Sequence, residues 1–147
     1  MQDDRIDTSV SSALVRLFRL VNRVHNRGLR STGLSAEQAH ILTILRIRGP
    51  MTMGALQKQL ALSSATLTGA IDRMEADGLV RRVPSPDDRR AVLLEARVAA
   101  KLWAPLDAAI AVCEERCFRA LGKRERAELL RLLDACAADL ETDAAAR

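Results

Sequence analysis

Residues 62–94 read LSSATLTGAIDRMEADGLVRRVPSPDDRRAVLL, and this stretch decides the fold. Its first part carries apolar residues at helical spacing, on a helix that Ser63 or Ser64 is placed to cap. Gly78 follows the last of them, where a helix commonly ends in a left-handed residue. Two short apolar runs then flank a turn rich in proline and aspartate at 84–88. The stretch therefore predicts a helix followed directly by a β-hairpin.

A shorter helix is predicted just before this one, with Thr52 as its N-cap. Its apolar face consists of Met53, Leu56 and Leu60. A tight connection at 61–63 leads into the next helix, so residues 52–76 have the proportions of a helix-turn-helix. We expect a reading head for DNA between Thr52 and Arg97.

Helical patterns flank the reading head on both sides. A first helix is predicted over about 8–30, and a second begins after Ser35, which forms a capping-box pattern with Gln38. Helical spacing resumes near residue 98, where Pro105 should kink the helix or mark its true start. A last helix is expected to turn four residues inward: Leu130, Leu133, Ala137 and Leu140. The predicted fold is mainly α with a small β-hairpin wing.

Charge and composition favour a polyanionic partner. The formal net charge is +4, and residues 81–97 hold five arginines against three acids. Aromatic residues are only 2% of the chain, so the core must be aliphatic. Without an apolar N-terminal segment or a long apolar run, we expect a cytoplasmic protein with no membrane contact.

The predicted recognition helix presents small polar side chains at its N-terminal end, which lets it enter a major groove. Their hydroxyls can bond base edges or phosphates, and Arg73, about one turn further on, can bind a phosphate. The candidate contacts before it are Ser63, Ser64, Ala65, Thr66 and Thr68. A cap and a solvated helix face would be the alternative interpretation of any one of these residues.

The hairpin tip carries Asp88, Arg89 and Arg90. An arginine on a projecting tip suits the narrow minor groove, where the negative potential is strongest. A neighbouring aspartate can bond the arginine and hold it extended. For an isolated DDRR sequence, a solvated charge run would be the default interpretation.

These residues also resemble a known family. The run from Leu62 to Leu94 is similar to the multiple antibiotic resistance regulator (MarR) family, and LSAEQAHILTILRIRGPMTMGALQKQL at 34–60 resembles the helices before its recognition helix. Asp88 and Arg90 match the family's Asp-x-Arg wing motif, in which the arginine enters the minor groove. The family's second wing strand usually ends in Leu-Thr, but residues 96–97 are Ala-Arg here, so we expect the wing to end near Leu94.

The resemblance implies a homodimer on a pseudo-palindromic operator. The winged helix-turn-helix would span about 34–97, and helices at about 8–31 and 98–143 would form the dimer lobe. Two-fold symmetry predicts an inverted repeat with half-sites about one helical turn apart. Family members are often repressors released by small lipophilic or aromatic ligands. We expect such an effector, and no metal or other cofactor, for this chain.

The effector pocket is expected to be lined by the first, second and fifth helices. Three residues of rare types in these helices are its candidates: His25, His40 and Trp103. The more ordinary interpretation is two surface histidines and a core tryptophan. Thiol-based redox sensing is an alternative switch, since the chain holds Cys113, Cys117 and Cys136. The first two share an apolar helix face, which predicts inert thiols.

Two other classes of protein compete with a DNA-binding regulator. An enzyme would need a phosphate loop, a metal cluster or a catalytic triad, and the sequence offers none with suitable spacing. A winged helix that binds another protein instead of DNA is the stronger rival. Salt dependence separates the two, because DNA binding weakens steeply as salt rises.

Overall fold

The computed structural model describes residues 9–88 and 90–145, with the side chains of 143–145 excepted. These residues form six α-helices, a 3-10 turn at Arg30–Thr32 and a small three-stranded sheet. The helices are α1 (Val10–Gly28), α2 (Ala36–Arg48), α3 (Met53–Leu60), α4 (Ser64–Ala76), α5 (Ala100–Phe118) and α6 (Lys123–Ala145). The strands are β1 (Met51–Thr52), β2 (Val80–Pro84) and β3 (Val92–Ala96). The predicted mainly helical fold with a β-hairpin wing is confirmed.

Three of the predicted helix starts are confirmed by their side-chain caps. The Ser35 hydroxyl oxygen accepts the Gln38 backbone N–H at 3.2 Å, and the Gln38 side chain accepts the Ser35 N–H at 2.9 Å. Thr52 accepts from Ala55 at the start of α3. Of the two serines that could cap α4, Ser63 does so, through the Thr66 N–H.

We expect Ser35→Ala to lower the free energy of unfolding by about 1 kcal/mol, because two N–H groups lose their partners or their geometry. Urea unfolding followed by circular dichroism measures the change. Ser31→Ala is the matched control, since Ser31 is an exposed serine in the preceding 3-10 turn. Equal midpoints for the two variants would contradict the capping role.

The core lies beneath the helix-turn-helix and holds α4 in place. Fully buried aliphatic side chains come from α2, α3 and α4, while β3 and α5 close the sides. The central members are Ile41, Leu42, Leu56, Leu67, Ile71, Leu94 and Leu106. One face of α4 is therefore buried in the core, and the opposite face is exposed to solvent.

The wing is larger than the sequence predicts. β3 is the central strand and pairs antiparallel with β2 on one side and with β1 on the other. β1 was not predicted. The expected wing end near Leu94 is wrong, since Ala96 pairs with Val80 and the Arg97 N–H donates to the Leu79 carbonyl at 2.7 Å. Backbone hydrogen bonds extend β3 to Ala96, so the strand does not depend on the Leu-Thr side chains that are usual in the family.

Pro105 lies inside α5, which begins five residues earlier at Ala100. The suggestion that it marks the true helix start is therefore wrong. At this position the proline ring removes one backbone bond, the one to a carbonyl in the first helical turn. Leu106 and Cys113, both buried, hold the helix after the proline, and Leu102 and Trp103 pack against the core before it.

The outer helices expose long apolar side chains. Along α1, Val10 is 77% exposed and Phe18 is 68% exposed. The α6 residues that were expected to face inward, Leu130, Leu133, Ala137 and Leu140, are all exposed in the single chain. That expectation is wrong for one copy, because no other element of the described chain covers this part of α6.

Candidate nucleic-acid interface

The recognition helix α4 separates its packing face from its polar face. Its buried residues are Leu67, Ala70, Ile71 and Met74. The predicted contact residues Ser63, Ser64, Ala65, Thr66, Thr68 and Arg73 are all exposed. Small side chains at the first turns leave the helix end narrow enough for a major groove.

Two hydroxyl contacts shape the N-terminal end of α4. Ser63 and Thr66 share a hydrogen bond of 2.8 Å between their side-chain oxygens, in addition to the cap. The Ser64 hydroxyl donates to the side-chain oxygen of Gln57 on α3, at 3.1 Å. Gln57 was missed by sequence reasoning. The only available signal was its place on the first helix of a helix-turn-helix, which faces the second.

The end of α4 directs the chain into the wing. Gly78 adopts a left-handed φ of +71°, and the Leu79 N–H returns to the Met74 carbonyl at 2.8 Å. This backbone arrangement satisfies carbonyls at the helix end and fixes the exit direction. The predicted role of Gly78 is confirmed.

Arg82 ties the wing to the recognition helix. Its guanidinium pairs with Asp72 at 2.6 Å and also with Glu75, and its backbone N–H donates to Glu75 at 3.1 Å. The hydrogen bond that Arg82 donates to Asp72, together with the one that it donates to Glu75, raises the pKa of Arg82. Arg81 pairs across the strands with Glu95 at 2.8 Å. These two wing arginines therefore bind the protein's own carboxylates, and the cationic part of the wing is its tip.

The wing tip is a compact turn. The Ser85 N–H donates to the Ala91 carbonyl at 2.9 Å, and the Asp88 carboxylate accepts the Arg90 backbone N–H, also at 2.9 Å. Asp88 therefore orients Arg90 through its backbone, not by the side-chain bond expected from the sequence. Over the described ranges the Arg90 guanidinium has no carboxylate partner. Arg89 lies outside the described residues.

The candidate effector residues His25 and His40 lie close enough to interact electrostatically. Burial lowers the pKa of His40, and the electrostatic interaction with His25 lowers it further. The Nε2 atom of His25 is buried and has no hydrogen-bond partner in the part of the chain that the structure describes. A groove of about 520 Å³ lies elsewhere, along the exposed face of α1, where Arg16, Arg19 and Arg23 are among its lining residues.

Trp103, the third effector candidate, is half-buried and engaged in a contact between helices. The Arg46 guanidinium of α2 lies over its ring, 4.5 Å from the centroid. Arg46 also makes a bidentate bond to Asp107, one turn further along α5. This hydrogen bond raises the pKa of Arg46 and lowers that of Asp107. The cluster connects the helix-turn-helix core to α5.

The cysteines differ in environment. Cys113 is buried, Cys117 is half-buried and Cys136 is exposed, and all three are free thiols. Burial is the main reason that the pKa values of Cys113 and Cys117 are raised. Raised values disfavour the reactive thiolate at neutral pH.

No helix within the described ranges has the length and apolar character needed to cross a membrane. Nor do those ranges bring together three histidine, cysteine or acidic residues in a group that could hold a metal ion.

Comparison with known proteins agrees with this geometry. A family model described as MarR family matches residues 34–92. The multiple antibiotic resistance protein MarR of Escherichia coli is 30% identical over 126 residues, which cover 83% of this chain and 81% of that protein.

Solved structures share the fold. A mutant MarR from E. coli complexed with operator DNA has a TM-score of 0.73 at 24% identity, covering 86% of this chain and 92% of that one. CouR from Rhodococcus jostii RHA1 bound to p-coumaroyl-CoA has a TM-score of 0.76 at 22% identity, covering 90% and 94%. The chain belongs to the MarR family of winged helix-turn-helix transcriptional regulators, and so is not an enzyme.

Proposed function

We propose that this protein is a cytoplasmic repressor that binds a pseudo-palindromic operator as a homodimer and is released by a small-molecule effector. The observation that carries the proposal is that an exposed polar helix face and an arginine-bearing wing are joined by side-chain contacts. The polar face of α4 is exposed, and the Arg82 contacts with Asp72 and Glu75 hold the wing against that helix. The operator complex of the similar E. coli protein supports the same use here.

In the proposed complex α4 enters the major groove and the wing tip enters the minor groove. Ser63, Ser64, Ala65, Thr66 and Thr68 would contact bases or phosphates, and Arg73 a phosphate. Arg90, with Asp88 shaping its turn, would insert into the minor groove, and Arg89 would bind beside it. These assignments are supported by the exposure of the α4 residues and by an Arg90 guanidinium that pairs with no carboxylate of the described residues.

The proposed dimer uses helices at about 8–31 and 98–143, with 34–97 as the DNA-binding part. Exposed apolar side chains on three helices of one copy support it. They include Val10, Leu14, Phe18, Val112, Leu130 and Leu140. A monomer in water rarely leaves so many large apolar side chains uncovered along its outer helices. A second copy would bury them.

The proposed effector is a small lipophilic or aromatic molecule that binds near His25, His40 and Trp103. The buried Nε2 of His25, which has no hydrogen-bond partner among the described residues, offers a polar contact for such a ligand. A ligand that reaches Trp103 would compete with Arg46 for the ring and so loosen the contact between α2 and α5. Release from DNA then requires only that the ligand prefer the altered spacing of the two reading heads. The p-coumaroyl-CoA complex of CouR supports a ligand-responsive fold.

Fluorescence anisotropy with the DNA that flanks the protein's own gene tests the proposed function. We expect tight binding whose affinity falls steeply between about 50 and 200 mM salt, as for proteins that contact several phosphates. A scrambled duplex of equal length is the control. Salt-independent binding, or equal affinity for both duplexes, would favour the rival interpretation as a protein-interaction module.

Mild peroxide treatment is expected to change DNA affinity by less than about twofold, since burial keeps Cys113 and Cys117 protonated. The same binding assay before and after treatment measures this. Cys136→Ser should be treated in parallel, because Cys136 is the exposed thiol. A large loss of affinity that a reducing agent restores would instead establish a redox switch.

A further inference from the structure

A side-chain hydrogen bond joins the two helices of the helix-turn-helix at the exposed N-terminal end of α4. The Ser64 hydroxyl, on the first residue of α4, donates to the Gln57 side-chain oxygen at 3.1 Å. Ser64 is exposed and Gln57, on α3, is half-buried. Gln57 was not among the residues that the sequence assigned to DNA contact, and its position is fixed by Leu56, its fully buried neighbour on α3.

The direction of this bond limits what Ser64 can do. A serine hydroxyl has one proton to donate and two lone pairs to accept with. When the proton is engaged with Gln57, only lone pairs are left to face the groove. The other hydroxyls of α4 differ in this respect. In the Ser63–Thr66 pair either oxygen can donate, and the Thr68 hydroxyl has no side-chain partner among the described residues.

The edges of the bases distinguish an acceptor from a donor. In the major groove adenine and cytosine present an exocyclic amino group, which donates, while guanine and thymine present a keto oxygen, which accepts. An acceptor-only hydroxyl bonds the amino group, whereas it would place lone pairs against the keto oxygen. A keto base at this position would leave two polar groups unpaired in the interface.

We propose that Gln57 is a specificity-positioning residue that fixes Ser64 as a hydrogen-bond acceptor, so that Ser64 selects an amino-bearing base, adenine or cytosine, in each half-site. The proposal rests on the proposed function, since it assumes that α4 lies in the major groove. It deepens that function by assigning the chemical group that one residue reads.

The test uses the full-length protein and an operator selected from random DNA by the wild type. Affinities are then measured for the selected duplex and for every single-base-pair substitution of one half-site. We expect one base pair at which the wild type prefers adenine or cytosine over guanine or thymine on the strand that Ser64 contacts. The preference should be about five- to tenfold, the effect of one unmatched hydrogen bond. In Ser64→Ala the preference at this base pair should fall below about twofold. Thr68→Ala is the matched control, since it removes an exposed hydroxyl of the same helix and should leave this base pair unaffected.

Three replacements of Gln57 separate positioning from general damage. Gln57→Met removes the bond and should relax the preference to below about twofold, because the freed hydroxyl then donates or accepts. Gln57→Glu keeps an acceptor for the Ser64 proton and should retain the preference, at lower overall affinity because of its charge. Gln57→Lys offers only donors, so Ser64 would accept from the lysine and turn its own proton to DNA. The preference should then invert towards a keto base.

The preference ratio is the readout, because changes in folding or in net charge alter all duplexes alike. An unchanged ratio in Gln57→Met and Gln57→Lys would overturn the proposal, as would a Ser64-dependent preference for a keto base in the wild type. If the wild type selects no sequence at all, the proposed function itself fails. That outcome differs from a wild type that selects an operator without any Ser64-dependent position, which overturns only the role of Gln57.

Discussion

Replacing Arg90 with alanine is expected to weaken operator binding by about 1–3 kcal/mol, or about 5- to 150-fold. Arg90 is exposed at the wing tip, and its guanidinium is not engaged by a carboxylate of the described chain. The wing that carries it is joined to the recognition helix, because Arg82 pairs with two carboxylates of α4. A guanidinium without a carboxylate partner has no ion pair to break on entering the minor groove, where the potential favours it.

Titration of labelled operator DNA by the wild type and by Arg90→Ala measures this loss. Arg119→Ala is the matched control, since it removes one exposed positive charge outside the reading head and should change affinity by less than about twofold. The slope of log affinity against log salt should also fall by about one for Arg90→Ala, if the arginine neutralises a phosphate. Equal affinities for the Arg90 and Arg119 variants would show that the wing tip does not contact DNA.

Gly28→Ala is expected to destabilise the fold by about 1–3 kcal/mol, although alanine normally favours a helix. Gly28 is the last residue of α1, and a Cβ atom there would clash with the Sγ atom of Cys113 on α5. Cys113 is itself buried, with its thiol directed at the Val24 carbonyl at 3.8 Å. The two helices would have to separate, or the thiol would have to move into a packed core.

Thermal and urea unfolding of three variants separate this clash from a general intolerance of substitution. Gly54→Ala is the matched control, because a Cβ atom there meets open space and should stabilise α3 by about 0.5–1 kcal/mol. Cys113→Ala combined with Gly28→Ala should recover much of the loss, since the clashing sulfur is gone. If Gly28→Ala were as stable as the wild type, the close approach of α1 and α5 would be wrong.

Local signals explain why so much of the reading head could be predicted from the sequence. Ser35, Thr52 and Ser63 cap helices through backbone N–H groups only three residues away, and Gly78 adopts the left-handed conformation expected of it. Such features depend on short segments of chain. Spacing of apolar residues then identifies the packed face of α4 without knowledge of its partners.

Features that depend on distant partners could not be predicted in this way. β1 has two residues and exists only because Met51 and Thr52 pair with β3, some forty residues later. Arg81 and Arg82 belong to a basic stretch of sequence, yet their pairing with carboxylates from β3 and α4 is a property of the fold. Gln57 likewise acquires its partner only when α3 and α4 are packed.

The leucines of α6 show a further limit of the sequence. Their helical spacing indicates a buried face, and yet Leu130 and Leu140 are 60% and 69% exposed in one chain. The spacing of apolar residues indicates that one face of a helix becomes buried. It does not show whether the residues that bury this face belong to the same protein copy or to another. The proposed homodimer assigns that cover to a second copy.

Footprinting on the DNA that flanks the protein's own gene, combined with the stoichiometry of the complex, tests the central claim most directly. Two protein copies should protect one inverted repeat whose half-sites lie about one helical turn apart, as a two-fold pair of α4 helices requires. The protection by Arg90→Ala should require about 5- to 150-fold more protein than protection by the wild type. Protection of a single half-site by one copy, or no protection on any duplex that the protein selects, would contradict the account.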